Sequence, residues 1–143
     1  MRATEILPGL YLGAAAEAYY DKKEGLVDVA LCVTERSIAN LGLGTDWYEI
    51  MSFLEEDDEN VLRADVVKLH TISMYIKALL EQKKKIVVFC GVGSERSPLA
   101  VVWYLHNFED FSLNDAYEFV KRKRSIVIDR TDWLPGKYKA GID

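Results

Sequence analysis

In the run Val87-Val88-Phe89-Cys90-Gly91-Val92-Gly93-Ser94-Glu95-Arg96-Ser97-Pro98, a cysteine is followed six positions later by an arginine and then by a hydroxyl. The pattern suits thiolate chemistry on a phosphoryl group. A thiol must ionise before it attacks phosphorus. A curl of backbone N–H groups entering a helix, with a guanidinium beside it, stabilises both that anion and a bound phosphate. Gly91 and Gly93 let the chain curl. Arg96 offers a planar, permanently charged fork that grips two phosphate oxygens and follows them into the transition state. Ser97 can donate a hydrogen bond to sulfur when sulfur leaves. The plain alternative, in which Cys90 is a small buried hydrophobe and Arg96 a solvated charge, explains neither the glycines nor the adjacent Arg-Ser pair.

The surrounding pattern supplies a scaffold. Ile86 to Phe89 is an uninterrupted apolar run, as in a central strand buried on both faces, and the loop after it leads into a helix from Ser97 to about Asn107. Pro98 fits that helix's first turn. From about Ala64 to Gln82, Val66, Leu69, Ser73, Ile76 and Leu80 recur at helical spacing. Ala14 to Tyr20 suits a short helix, Val27 to Val33 and Trp47 to Met51 suit strands, and Ser112 with Asp115 can cap a last helix reaching about Arg122. Strands alternating with helices predict an α/β fold, a central mostly parallel sheet flanked by helices, with ligands at the carboxyl ends of strands. Cys90 stands at such an end.

These residues resemble the signature loop of the protein tyrosine phosphatases, His-Cys-x-x-Gly-x-x-Arg-Ser, and the Arg-Ser-Pro ending is most similar to the dual-specificity branch. Ile6-Leu7-Pro8-Gly9-Leu10-Tyr11-Leu12-Gly13 resembles that branch's opening hairpin, and Val29-Ala30-Leu31-Cys32-Val33-Thr34 resembles a strand often written Val-Leu-Asn-Val-Thr. The similarity runs to about Ile128. It implies a single phosphatase domain over residues 1–143. Cys90 is then the nucleophile, Arg96 and Ser97 its partners, and the loop Gly91, Val92, Gly93, Ser94, Glu95 and Arg96 the phosphate cradle. No metal or cofactor is called for, since Arg96 and the loop amides take the part a metal ion plays elsewhere. The implied substrate is a phosphorylated protein or peptide.

The resemblance leaves the general acid open among Glu55-Glu56-Asp57-Asp58-Glu59. Counting back about thirty-two positions from the nucleophile, the family's usual interval, points to Asp58. Counting forward from Trp47-Tyr48 points to Glu55. Asp58 is preferred and Asp57 comes next, a short acid on a mobile loop being the family's norm. Phe89 replaces the signature histidine that supports the loop, so the rate optimum is expected at higher pH. Glu95, where small or basic residues are commoner, argues against polyanionic phosphoinositides. The tyrosine-bearing recognition loop of the larger, phosphotyrosine-only enzymes is not evident, which leaves shallow dual specificity open. Cys32 stands where a lipid phosphatase of the superfamily has a cysteine that pairs with its nucleophile. A Cys32–Cys90 disulfide is therefore a candidate redox switch, beside the plainer reading of Cys32 as a packing residue.

Composition sets outer limits. The 143 residues are half hydrophobic, enough for one core, and no Pro/Gly/Ser-rich linker divides them. No long apolar stretch suggests a signal peptide or membrane span, and two distant cysteines form no disulfide framework or zinc site, so a cytoplasmic monomer without membrane partners is expected. A net charge of −5 argues against nucleic acid as a partner. Lys121-Arg122-Lys123-Arg124 reads as the solvated end of a helix, and His70 and His106 as packing or surface residues rather than metal ligands. Two alternatives stand beside the phosphatase. One is a rhodanese-type sulfurtransferase or phosphatase, which also closes a cysteine loop with arginine. The other is a pseudophosphatase that binds phosphate without turnover, suggested by Phe89 and by the unsettled position of the acid.

Overall fold

The computed structural model describes residues 2–35, 38 and 41–136, so residues 1, 36–37, 39–40 and 137–143 of the expected 1–143 domain lie outside the described residues. Its centre is the predicted apolar run: strand β7 (Ile86–Cys90) is buried at every position. β1 (Thr4–Leu7) and β2 (Leu10–Ala14) form the opening hairpin around Pro8-Gly9, with Gly9 at a φ of 87° that glycine adopts without strain. β7 lies parallel between β2 and β3 (Val29–Cys32), and β3 in turn carries the two-residue β4 (Glu49–Ile50), giving the order β1-β2-β7-β3-β4. Among the described residues of this sheet only the β1–β2 pair is antiparallel. The α/β arrangement is the expected one.

Helices cover both faces. Successive residues of a strand point to opposite sides, so Ile86 and Val88 enter the larger core cluster while Val87 and Phe89 enter the smaller one. On the larger side lie α2 (Val66–Glu81), α3 (Arg96–Phe108) and α4 (Leu113–Lys123); α1 (Ala15–Lys23) lies on the other. α2 is capped by Asp65, which accepts from the Lys68 amide, and buries Leu69, Ile72, Ser73, Ile76 and Leu79. Its buried stripe thus includes Ile72, and Leu79 rather than Leu80. α3 is buried from Arg96 through Leu105, a helix apolar all round because it fills the middle of the domain. The Ser112 hydroxyl accepts from the Asp115 amide and starts α4, as expected.

Three sequence expectations need adjustment. Of the run from Trp47 to Met51 only Glu49 and Ile50 form a strand, with the Met51 amide donating to Cys32 O, while Trp47 and Tyr48 join an aromatic cluster. The acidic run is not a simple loop. It forms an arm of a separate hairpin, β5 (Leu54–Glu56) with β6 (Leu62–Ala64), which turns at Asp57 to Val61. Arg124, placed in a solvated helix end, is only 9% exposed.

Phe89, in the place of the signature histidine, is fully buried. Its ring stacks on Trp47 at 5.2 Å and meets the edge of Tyr48 at 5.6 Å, while Trp47 also contacts Tyr19 at 5.3 Å. An apolar ring suits a layer built of rings. Phe89→His puts ring nitrogens into it, and the variant is expected to lose about 1–3 kcal/mol of stability in urea unfolding. Unchanged stability would mean that the imidazole finds a polar partner there.

Candidate active site

Cys90 closes β7 on the α3 side of the sheet and is 5% exposed. The Ser97 amide donates to Cys90 Sγ at 3.4 Å, and Ser97 Oγ lies 3.2 Å from the same sulfur. Both contacts come from the first turn of α3, whose unpaired N–H groups and partial positive charge favour an anion. The fold thus brings Ser97 against the Cys90 sulfur.

Between them the loop is shaped by what happens to its carbonyls. Gly91 O accepts from the Ala15 amide at 3.1 Å and Ser94 O from the Ile128 amide at 2.8 Å. Val92 O and Gly93 O accept from the Arg124 guanidinium at 3.2 and 2.9 Å. In a planar trans peptide the carbonyl of one residue and the N–H of the next point in opposite directions. Four carbonyls tied outward therefore aim the N–H groups of Val92, Gly93, Ser94 and Glu95 inward. Among the described residues none of these four donates to a protein acceptor. Gly93 has a φ of 78°, and a Cβ there would stand 2.7 Å from the backbone of Gly13 and from Arg124 Nη2. Glycine at this position is a steric requirement.

Arg96 is 9% exposed and lies with its guanidinium carbon 5.7 Å from the centroid of the Trp133 ring. Its Nη2 donates to Glu35 Oε1 at 3.1 Å, whereas Nε is buried with no acceptor among the described residues. A buried guanidinium N–H without a partner is costly, and a ligand oxygen at the loop would satisfy it. Glu95 is not a free carboxylate at the rim. Arg130 Nη1 donates to it at 2.6 Å, also binds Asp132, and packs 4.1 Å over Trp133. The repulsion toward polyanions expected from Glu95 is thus offset at its source.

The acid candidates separate by their engagements. Asp57 accepts from the amides of Glu59 and Val61 and pairs with Arg63 at 3.5 Å. Its backbone hydrogen bonds hold the carboxyl below the usual aspartate range, so it is ionised at neutral pH and poorly suited to donating a proton. Glu55 is held by Lys68 at 2.6 Å. Asp58 sits exposed in the hairpin turn and is engaged by no other described residue.

Cys32 is opposite Phe89 in the β3–β7 register and belongs to the Phe89 side of the sheet, with its Sγ 3.9 Å from Thr34 O. Both cysteines are free. Burial pushes the Cys32 thiol up, and the nearby Cys90 adds to the shift. His106 Nδ1 lies 2.7 Å from Phe111 O and His70 stacks on Phe108, both packing roles. Sequence reasoning missed Glu35, Arg124, Arg130 and Trp133 at the site. Nothing in their spacing from Cys90 marks them, because they arrive from other elements.

The chain is similar to known proteins. The model of the dual specificity phosphatase catalytic domain matches residues 10–134. A putative tyrosine phosphatase, 123R, of Invertebrate iridescent virus 6 is 29% identical over 134 residues, covering 94% of this chain and 88% of the viral protein. Human dual specificity protein phosphatase 4 is 31% identical over 131 residues, covering 86% of this chain and 30% of the human protein. The chain thus spans under a third of that relative's length. Among solved structures, PTPMT1 superposes with a TM-score of 0.72 at 17% identity, covering 98% of this chain and 90% of that one. Human DUSP28 gives 0.69 at 20% identity, covering 87% and 85%. At such identities the likeness speaks for the fold, an α/β domain with a mostly parallel sheet. The match over residues 10–134 favours this lineage over the rhodanese alternative. With a Cys-to-Arg loop of the expected composition and a family match over most of its length, the chain belongs to the dual specificity phosphatase catalytic-domain family of protein phosphatases, within the cysteine-dependent protein tyrosine phosphatase superfamily.

Proposed function

We propose that this protein hydrolyses phosphotyrosine, and in a shallow site also phosphoserine and phosphothreonine, on protein substrates through a phosphocysteine intermediate. The observation that supports this most directly is the convergence on Cys90 Sγ of the Ser97 amide and hydroxyl, beside four loop amides turned inward. The Cys90 thiolate attacks phosphorus in line with the leaving oxygen, the phosphoryl oxygens lying against the amides of Val92 to Glu95 and the free Nε–H of Arg96. The S–P bond forms as the P–O bond to the side chain breaks, and a carboxylic acid delivers a proton to the departing oxygen. Water then displaces sulfur, aided by the same carboxylate as base, while Ser97 donates to the returning thiolate. Arg96, positioned by Glu35 and Trp133, follows the charge as it develops.

Asp58 is the acid on this reading, since Asp57 is committed to its turn and Glu55 to Lys68. The retention of Cys90, Arg96 and Ser97 favours turnover over phosphate binding alone. Cys32 would act as the resolving thiol if Cys90 were oxidised. It must first leave its place beside Thr34 O, because it lies on the opposite side of the sheet. Among the described residues no helix is long and apolar enough to cross a membrane, and the reading extends to a monomer working in a reducing cytoplasm.

Turnover of para-nitrophenyl phosphate, inhibited by vanadate and abolished in Cys90→Ser, is the direct assay. Rapid quenching of the wild type should yield a phosphoryl adduct on the Cys90 peptide by mass spectrometry. Activity surviving in Cys90→Ser would overturn the mechanism. For the acid, the sign is fixed by its need for a proton: kcat/KM falls as pH rises through its titration. Asp58→Asn is expected to remove that fall and to lower kcat roughly 10²-fold. A variant that keeps the fall moves the role to another carboxylate.

A further inference from the structure

Arg124 is the residue that follows α4, and its surroundings are unusual for a charge at a helix end. It is 9% exposed, while Lys121, Arg122 and Lys123 just before it are exposed. Its Nε donates to Gly93 O at 2.9 Å, Nη2 to Val92 O at 3.2 Å, and Nη1 to Thr4 Oγ1 at 3.0 Å. Nη2 also lies 2.9 Å from Glu17 Oε1, the same oxygen that accepts from the Ala14 amide at 2.8 Å. A guanidinium is buried only when its donors are used, and here they fasten β1, α1 and the loop to one plane.

Of the four loop carbonyls tied outward, two are held by backbone amides and two by Arg124 alone. Fixing Val92 O and Gly93 O fixes the N–H groups of Gly93 and Ser94 on the far side of the same peptide planes. We propose that Arg124, held in place by Glu17, is a positioning residue that sets half of the oxyanion-binding amides of the loop without touching the substrate. The proposal rests on the phosphatase reading. Glu17 neutralises the Arg124 charge locally, so the effect on a bound phosphoryl group is one of geometry rather than of long-range field. A lysine would keep the charge but has one tetrahedral nitrogen, which cannot span two successive carbonyls, a hydroxyl and a carboxylate.

Arg124→Lys therefore separates geometry from charge. Three quantities are compared with wild type: kcat and KM for para-nitrophenyl phosphate, competitive inhibition by inorganic phosphate, and the melting temperature. The variant is expected to lose kcat/KM on the order of 10-fold to 10²-fold, the loss falling on kcat as well as KM, as misplacement of distant supports does. Phosphate inhibition should weaken about tenfold. Lys121→Met, which removes a charge at an exposed position of α4, should match wild type in all three. If Arg124→Lys does not fold, the double variant Arg124→Gln/Glu17→Gln removes both charges together and carries the same expectations. A folded variant with wild-type kcat and phosphate inhibition, or one altered only in melting temperature, would overturn the proposal and reduce Arg124 to a structural counter-ion. A wild-type protein that neither turns over para-nitrophenyl phosphate nor is inhibited by phosphate would instead overturn the phosphatase reading, and this inference with it.

Discussion

A peptide plane has two polar ends, and fixing one fixes the other. The site is built on that constraint. Four successive carbonyls, from Gly91 to Ser94, are claimed from outside by the Ala15 amide, the Arg124 guanidinium and the Ile128 amide. The facing N–H groups have no choice but to converge. Without those outer bonds the loop would be a flexible glycine-containing connection with its dipoles in no common direction, and a thiolate beside it would gain little. The loop amides are thus supported from behind, by groups that the surrounding structure brings together.

Each support depends on a different part of the fold. The Ala15 amide is in place because β2 lies parallel to β7 and α1 begins where both strands end. Ile128 and Arg124 are in place because α4 packs on α3 and the chain then turns back toward the loop. α3, buried along most of its length, anchors Ser97 under the sulfur and starts at Arg96. The close approach of Gly93 to Gly13 is the steric consequence of pulling the loop onto β2. Remote packing and local chemistry are in this way one construction.

Charge is handled in the same economical manner. Arg96 and Arg130 both lie over Trp133, and each has its own carboxylate, Glu35 and Glu95. Such pairs are partly desolvated, so they orient the side chains more than they add stability. They also leave the Nε edge of Arg96 as a buried donor with no protein acceptor among the described residues. On the other side of the sheet Phe89, Trp47 and Tyr48 pack ring against ring.

The order and type of the central elements were legible in the sequence because their signals are local. An unbroken apolar run at Ile86 to Phe89 has the pattern of a strand buried on both faces, helical spacing marked α2, and Ser112 marked the start of α4. Cys90, the glycines, Arg96 and Ser97 were legible for the same reason: they are neighbours in the chain, and their spacing is their geometry. What lies outside such windows was decided by tertiary structure. The hairpin that takes Asp57 and Asp58 into its turn pairs Leu54–Glu56 with Leu62–Ala64, where exposed charged residues carry no strand pattern to read. The sides taken by Cys32 and Cys90 depend on strand register and pleat. Arg124 ends a basic run that reads as solvent-facing, and only the fold places it under a loop about thirty residues away in sequence. A side chain's type is written in the sequence, but the identity of its distant partners exists only once the chain has packed.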